Sequence, residues 1–157
     1  MTLEIERKFL VHTFPESCVT HATKADIQQG YLTLEENREL RIRRKDKQYF
    51  LTEKKGSGLC REEAEISVDE KLFNFLWPMT VGMQVEKIRY TFMLNTYQLE
   101  LDVYGGALSP LTTLEVEFES VEQATAFIAP DFVSLDVTND KCYKNSYLAK
   151  QNRAQDV

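Results

Sequence analysis

The chain has 157 residues, 43% of them apolar and 28% charged, enough for one soluble domain with a sizeable core. Its net charge of -6 argues against a general nucleic-acid binder, whose surface would be basic, although a local cationic site can sit inside an acidic protein. No apolar run approaches a membrane span and the N-terminus is charged from Glu4 with no apolar signal core, so the expectation is a cytoplasmic protein with no membrane partner.

The first predicted strand covers residues 3–11. Its apolar positions Leu3, Ile5, Phe9 and Val11 leave Glu4, Glu6 and Lys8 on one face, because strand side chains alternate. A second strand is predicted over 27–34. Over 38–46, Arg41 and Arg43 alternate with Leu40 and Ile42, while Arg44 and Lys45 are read as solvated turn residues because no aromatics interleave them. The strand over 48–55 brings Thr52 and Lys54 into phase, and that over 61–68 brings Arg61, Glu63 and Glu65. A helix over 69–79 starts at a capping Asp69 and puts Leu72, Phe73, Leu76 and Trp77 on one side; Phe73, Phe75 and Trp77 are read as its core.

Strands over 84–94, 97–104 and 112–119 follow. They carry Lys87 and Arg89, then Glu100 and Asp102, then Glu115 and Glu117, each set set off by apolar residues such as Leu99, Leu101, Leu114 and Val116. Glu119 is in phase but is read as a strand-end surface residue. Short helices are expected over 121–128 and 140–153, the second capped by Asp140 with basic residues near its end. Polar or glycine-bearing turns at Glu35-Glu36-Asn37, Gly56-Ser57-Gly58, Asn95-Thr96 and Gly105-Gly106 favour antiparallel pairing. The class is therefore α+β, a single domain over residues 1–157 built on one large antiparallel sheet or barrel.

The three cysteines, Cys18, Cys60 and Cys142, lack metal-ligand spacing and read as reduced structural thiols. Two histidines, His12 and His21, are too few and too peripheral for a histidine-based triad.

A solvated sheet face normally mixes serine, threonine and amides with its charges. Here the in-phase positions are concentrated in Arg, Lys, Glu and Asp, and neighbouring like charges repel. Clustered carboxylates favour a hard cation such as Mg²⁺ or Mn²⁺. Clustered Arg and Lys favour phosphate oxygens. A site holding both suits metal-bound polyphosphate. Such charged faces could line a closed sheet whose apolar faces pack outside, under helices.

These residues resemble the CYTH superfamily, the triphosphate tunnel metalloenzymes. The hallmark E-x-E-x-K is Glu4-Ile5-Glu6-Arg7-Lys8. In family order follow R-x-R at Arg41/Arg43, L-T-x-K at Leu51–Lys54, R-x-E-x-E at Arg61/Glu63/Glu65, K-x-R at Lys87/Arg89, E-x-D at Glu100/Asp102 and E-x-E at Glu115/Glu117. The tail VTNDKCYKNSYLA is similar to the family's C-terminal V-T-x-D turn and Y-x-N-x-x-L-A helix. One departure is Cys142, where small bacterial members often carry Arg, with Lys141 and Lys144 beside it. Tyr31 matches a family position near the substrate, although a strand tyrosine also suits core or rim.

The resemblance implies an eight-stranded antiparallel tunnel with inward-facing charges and metal-dependent cleavage of a triphosphate. On that basis Lys8, Arg41, Arg43, Lys54, Arg61, Lys87 and Arg89 are expected on the phosphate oxygens. Glu4, Glu6, Glu115 and Glu117 are expected on a first Mg²⁺ or Mn²⁺. Glu63, Glu65, Glu100 and Asp102 are expected to hold a second ion, orient water or keep the cations in place. Glu4, Glu6, Lys8 and Lys87 are expected to be catalytic. The expected reaction is tripolyphosphate hydrolysis to pyrophosphate and phosphate, on a small-molecule substrate with no nucleic-acid partner, in a chain compatible with a homodimer. The alternatives are a class IV-type adenylyl cyclase, a thiamine triphosphatase and a non-catalytic polyphosphate or nucleotide sensor.

Overall fold

The structure, a computed structural model, describes residues 2–154; Met1 and residues 155–157 of the expected single domain lie outside the described residues. Each strand read from the sequence is present: β1 Thr2–Val11, β2 Thr23–Glu35, β3 Arg38–Lys45, β4 Gln48–Lys55, β5 Cys60–Val68, β6 Gln84–Leu94, β7 Tyr97–Tyr104 and β8 Thr112–Phe118. Pairing with β6, down to Thr23 opposite Thr91, carries β2 past the point where its own alternation fades. A ninth strand, β9 (Val133–Asp136), and the one-turn helix α1 (Glu16–Val19) are too short to show a period.

The strands pair antiparallel in the order β5-β4-β3-β2-β6-β7-β8-β1, and β1 pairs back onto β5, closing an eight-stranded barrel with β9 beside β1. Along one edge β1 pairs with β8 from Ile5 to Leu10. Its other edge is shared: β5 covers Thr2–Ile5 and β9 covers Phe9–Val11. Between them, the Glu6 N–H donates to the Leu59 carbonyl (3.1 Å) and the Lys8 carbonyl accepts from the Val137 N–H (2.8 Å).

The main apolar core lies outside the barrel. Ile5, Phe9, Phe92, Leu99, Leu101, Leu114, Val116 and Phe118 pack beneath Ala124, Phe127 and Phe132. Burying each large side chain contributes roughly 1.5–3 kcal/mol. Helix α3 (Val121–Ala126), capped by Ser120 accepting the Gln123 N–H, ends before the expected residue 128 because Phe127 turns into this core.

Helix α2 (Glu70–Leu76) covers the outside of β3 and β4, and Asp69 caps it by accepting the Leu72 N–H (2.8 Å). It stops short of residue 79 because Pro78 lacks a donor, and the chain continues as a 3-10 turn over Trp77–Thr80. Phe73 is buried, stacked on Trp77 at 5.2 Å. Phe75 is not core: at 66% exposure it lies on the helix's solvent side. Gly30 of β2 gives this turn room, since a Cβ there would sit 2.3 Å from the Thr80 hydroxyl.

The C-terminal helix also differs from expectation. Asp140 accepts the Cys142 N–H and so caps a 3-10 turn, Lys141–Tyr143; the chain is extended at Lys144, and α4 proper runs Asn145–Ala154. Leu148 and Ala149 of α4 pack with Tyr31, Val85 and Tyr104, and so cover one end of the barrel. No helix among the described residues is long and apolar enough to cross a membrane.

Candidate active site

The strand faces opposite the apolar core point into the barrel and line a cavity of about 310 Å³. From β1 come Glu4, Glu6 and Lys8; from β3, Arg41 and Arg43; from β4 and β5, Lys54, Arg61 and Glu63; from β6, β7 and β8, Arg89, Glu100, Glu115 and Glu117. Period-2 alternation puts these groups on one surface, and antiparallel register sets opposite charges abreast: Lys8 faces Glu115, Lys54 faces Glu63 and Arg89 faces Asp102.

Ion pairs knit the wall. The Lys54 ammonium lies 2.9 Å from Glu4 and 3.4 Å from Glu63. Lys8 lies 3.6 Å from Glu115 and donates to the Tyr143 carbonyl at 2.6 Å. Arg43 reaches Glu65 at 3.6 Å, and the Thr52 hydroxyl donates to the same carboxylate at 2.7 Å. Arg89 makes a fork on Asp102 (2.8 and 2.9 Å), meets Glu100, and stands 3.8 Å from Glu115.

Three expected residues lie off the cavity wall. Asp102 is 0% exposed, chelated by Arg89 and by Lys87 at 2.8 Å, and Lys87 is itself 4% exposed. Glu65 sits outside the lining, engaged by Arg43 and Thr52. Glu119 is exposed, as expected.

Four lining side chains, Glu39, Lys45, Thr91 and Gln98, went unread. Glu39, buried and 3.1 Å from Arg61, and Lys45 both face the cavity, so Lys45 is a wall residue rather than a solvated turn residue. They share the two-residue phase of Arg41 and Arg43, a signal that extends from 39 to 45. Thr91 and Gln98 continue the faces of β6 and β7. The tail residues Val137, Thr138, Asp140, Tyr143, Lys144 and Asn145 also line the cavity; no periodicity marks them, and it was the family-like V-T-x-D turn and the stretch after it that singled out their segment in the sequence. Tyr31 is both core and wall: it packs with Leu148 and reaches the cavity.

Burial of so many carboxylates separates their acidities. Glu6 is pushed up to about 8 by burial and then by Glu115 and Glu4, with Lys54 and Lys8 opposing. Glu63 is pushed up to about 7 by burial and by donating a hydrogen bond to Glu4. Burial would raise Glu4 as well, but that bond and Lys54 hold it down at about 2. Glu117 is raised by burial and the charges of Glu4 and Glu100. In Glu115 the cations Lys8 and Arg89 outweigh burial and lower it. On the cationic side, burial and then Arg41 and Arg89 bring Arg43 down to about 10, and burial and then Arg61 lower Lys144.

Among the described residues, no three of the His, Cys, Asp and Glu side chains stand together as a ready-made metal cage. The donor chemistry nevertheless fits a hard cation. Glu4, Glu6, Glu115 and Glu117 offer only oxygens, and the buried Glu6 carboxyl, raised by burial and then by its neighbours Glu115 and Glu4, stands among anions that a cation would offset.

The CYTH domain family profile matches residues 2–131. The chain is 51% identical to an inorganic triphosphatase of Nitrosomonas europaea over 148 residues, 93% of this chain and 96% of that one. It is 30% identical to an inorganic triphosphatase of Acetivibrio thermocellus over 155 residues, 96% and 95% of the two chains. Its fold superposes on the crystal structure of an inorganic triphosphatase with a TM-score of 0.72, at 45% identity over 96% of each chain.

Proposed function

Because this chain belongs to the CYTH domain family, whose tunnel enzymes depend on metal, we propose that it hydrolyses inorganic tripolyphosphate to pyrophosphate and phosphate. The observation that carries this reading is the charge on the cavity wall: eight cationic and eight acidic side chains. A bare polyphosphate would leave such a wall strongly anionic, whereas a polyphosphate accompanied by divalent cations adds little net charge and satisfies both sets. The triphosphatase relatives support the same substrate. The aromatic residues among the lining are Tyr31 and Tyr143, and Tyr31 is buried against α4, which offers no open platform for adenine or thiamine.

In this reading Lys8, Arg41, Arg43, Lys54, Arg61 and Arg89 hold the phosphate oxygens, the guanidinium groups two at a time. Lys87 and Asp102 act beneath them: Asp102 is the counter-ion that fixes the fork of Arg89, and Lys87 completes the buried triad. Glu4, Glu6, Glu115 and Glu117 would hold Mg²⁺ or Mn²⁺, and Glu63 and Glu100 a second ion or a water. Bound there, the cation supplies charge neutralisation at the phosphoryl oxygens and a more acidic water. Glu65 and Thr52 keep Arg43 in place. The phosphoanhydride P–O bond breaks, the water oxygen bonds to the released phosphoryl group, and the proton leaves through the carboxylates. No protein nucleophile is required.

The test is phosphate release by purified protein with Mg²⁺ or Mn²⁺ on tripolyphosphate, ATP and thiamine triphosphate, with cyclic AMP assayed in the ATP reactions. Metal-dependent release from tripolyphosphate, at least tenfold faster than from the other two, is expected. Cyclic AMP from ATP, or tight binding of all three without turnover, overturns the reading.

A further inference from the structure

Outside the tunnel, Arg7 makes a set of contacts that the hydrolysis scheme does not use. Its guanidinium donates to Asp136 from Nε (3.1 Å) and Nη2 (3.0 Å), while Nη1 donates to the carbonyls of Ala124 and Phe127. The other oxygen of Asp136 accepts both the N–H (2.9 Å) and the hydroxyl (2.5 Å) of Thr138. The Thr138 hydroxyl oxygen in turn accepts the Lys8 N–H at 3.0 Å.

This chain of bonds ends at the one stretch of β1 that neither β5 nor β9 pairs with. At Lys8 the barrel is closed by the Thr138 hydroxyl and the Val137 N–H instead of a strand. The Lys8 ammonium then donates to the Tyr143 carbonyl, farther along the same segment. Both the backbone and the side chain of Lys8 are thus held by the tail, and the tail is held by Asp136.

We propose that Asp136, clamped by Arg7, is a positioning residue for Lys8: through the Thr138 hydroxyl it fixes the Lys8 backbone and thereby aims the ammonium into the tunnel. The inference rests on the triphosphatase reading for its functional consequence, though not for the clasp itself. Arg7 alone would suffice to dock α3 through the two carbonyls. The Asp136 carboxylate, one oxygen on Arg7 and the other on Thr138, and the Thr138 bond to Lys8 are what tie that outer contact to the tunnel.

The test compares Thr138→Val, Thr138→Ser and Asp136→Asn with the parent protein in tripolyphosphate turnover and in hydrogen exchange of the Lys8 amide by NMR, at a temperature where circular dichroism shows each variant folded. Thr138→Val keeps the shape but loses the hydroxyl. It is expected to lower kcat about tenfold with KM changed less than threefold, and to speed Lys8 amide exchange at least tenfold. Thr138→Ser, which keeps the hydroxyl, is expected to restore both to within twofold. Asp136→Asn, which sets a donor against Arg7 or Thr138, is expected to fall between, and carries the test should Thr138→Val not fold. A folded Thr138→Val or Asp136→Asn with kcat within twofold of the parent overturns the proposal. Should the parent hydrolyse no triphosphate, the functional reading fails, while unchanged Lys8 exchange in Thr138→Val separately overturns the clasp.

Discussion

At the residue scale, the tunnel pits stability against function most openly at Glu6. Burial and then the charge of Glu115 raise its pKa from 4.5 to about 8. A carboxyl raised on folding stabilises the folded state while protonated; that contribution is lost as pH climbs from about 4.5 through about 8. Glu4, held at about 2, runs the other way and loses its contribution only in acid, so it does not mask the effect. Glu6→Gln is therefore expected to raise the melting temperature in EDTA at pH 8 by several degrees, corresponding to a few kcal/mol at most given ~1.4 kcal/mol per pKa unit. At pH 4.5 the gain should vanish, and at every pH turnover should fall at least a hundredfold. Equal midpoints for the two proteins at pH 8, measured by differential scanning calorimetry, would show that Glu6 is not under strain. The charged positions of the site were legible because period 2 and residue type are both in the chain. Glu39 and Lys45 carried the same phase. What phase cannot tell is which of a strand's in-phase residues lie along the cavity and which, like Asp102, are sealed beneath it.

At the element scale, helices serve as outer packing for strands that carry the site. Helix α2 illustrates this: its cap, Asp69, and its buried Phe73 belong to the outside of β3 and β4, whose inner faces hold Arg41, Arg43 and Lys54. Asp69→Ala removes the acceptor of the Leu72 N–H and is expected to cost about 1 kcal/mol in urea unfolding, with kcat unchanged within twofold. A larger loss of kcat than of stability would mean that α2 bears on the tunnel itself. The existence of the eight barrel strands was legible, and for all of them but β2, which starts four residues early at Thr23, the bounds fell within a residue because the alternating runs end at turns; β9 was missed. Helix ends were less legible. Pro78 and the inward turn of Phe127 stop α2 and α3 early, and Asp140 serves a 3-10 turn because Lys144 leaves helical geometry before α4 begins. Phe75 was misread because helical period alone does not say how wide the covered face is.

At the scale of the whole molecule, closing the sheet inverts the usual arrangement, with hydrophobic contacts outside and ionic ones within. The charged interior gains from a partner that bridges its two signs. Tripolyphosphate with Mg²⁺ is expected to stabilise a slowly hydrolysing variant such as Glu6→Gln less than a non-hydrolysable analogue with Mg²⁺ stabilises the parent, since the variant lacks a cation ligand. For the parent, the gain follows RT ln(1 + [L]/Kd), about 4 kcal/mol at a thousandfold excess over Kd. Analogue alone, in EDTA, should give less than half that shift in a thermal melt. An equal shift with and without metal would count against joint binding.

By itself the sequence determined the eight barrel strands, the face each presents and the opposed charges on that face, because alternation and side-chain chemistry are local properties. Only the tertiary structure decided how the sheet closes on β5, that α4 covers one end, and that Asp136 and Thr138 complete β1 at Lys8. Those outcomes depend on contacts between residues far apart in the chain: the pairing of β1 with β5, the apolar packing of α4, and the single hydrogen bond of Thr138 with Lys8, none of which leaves a periodic trace in the sequence.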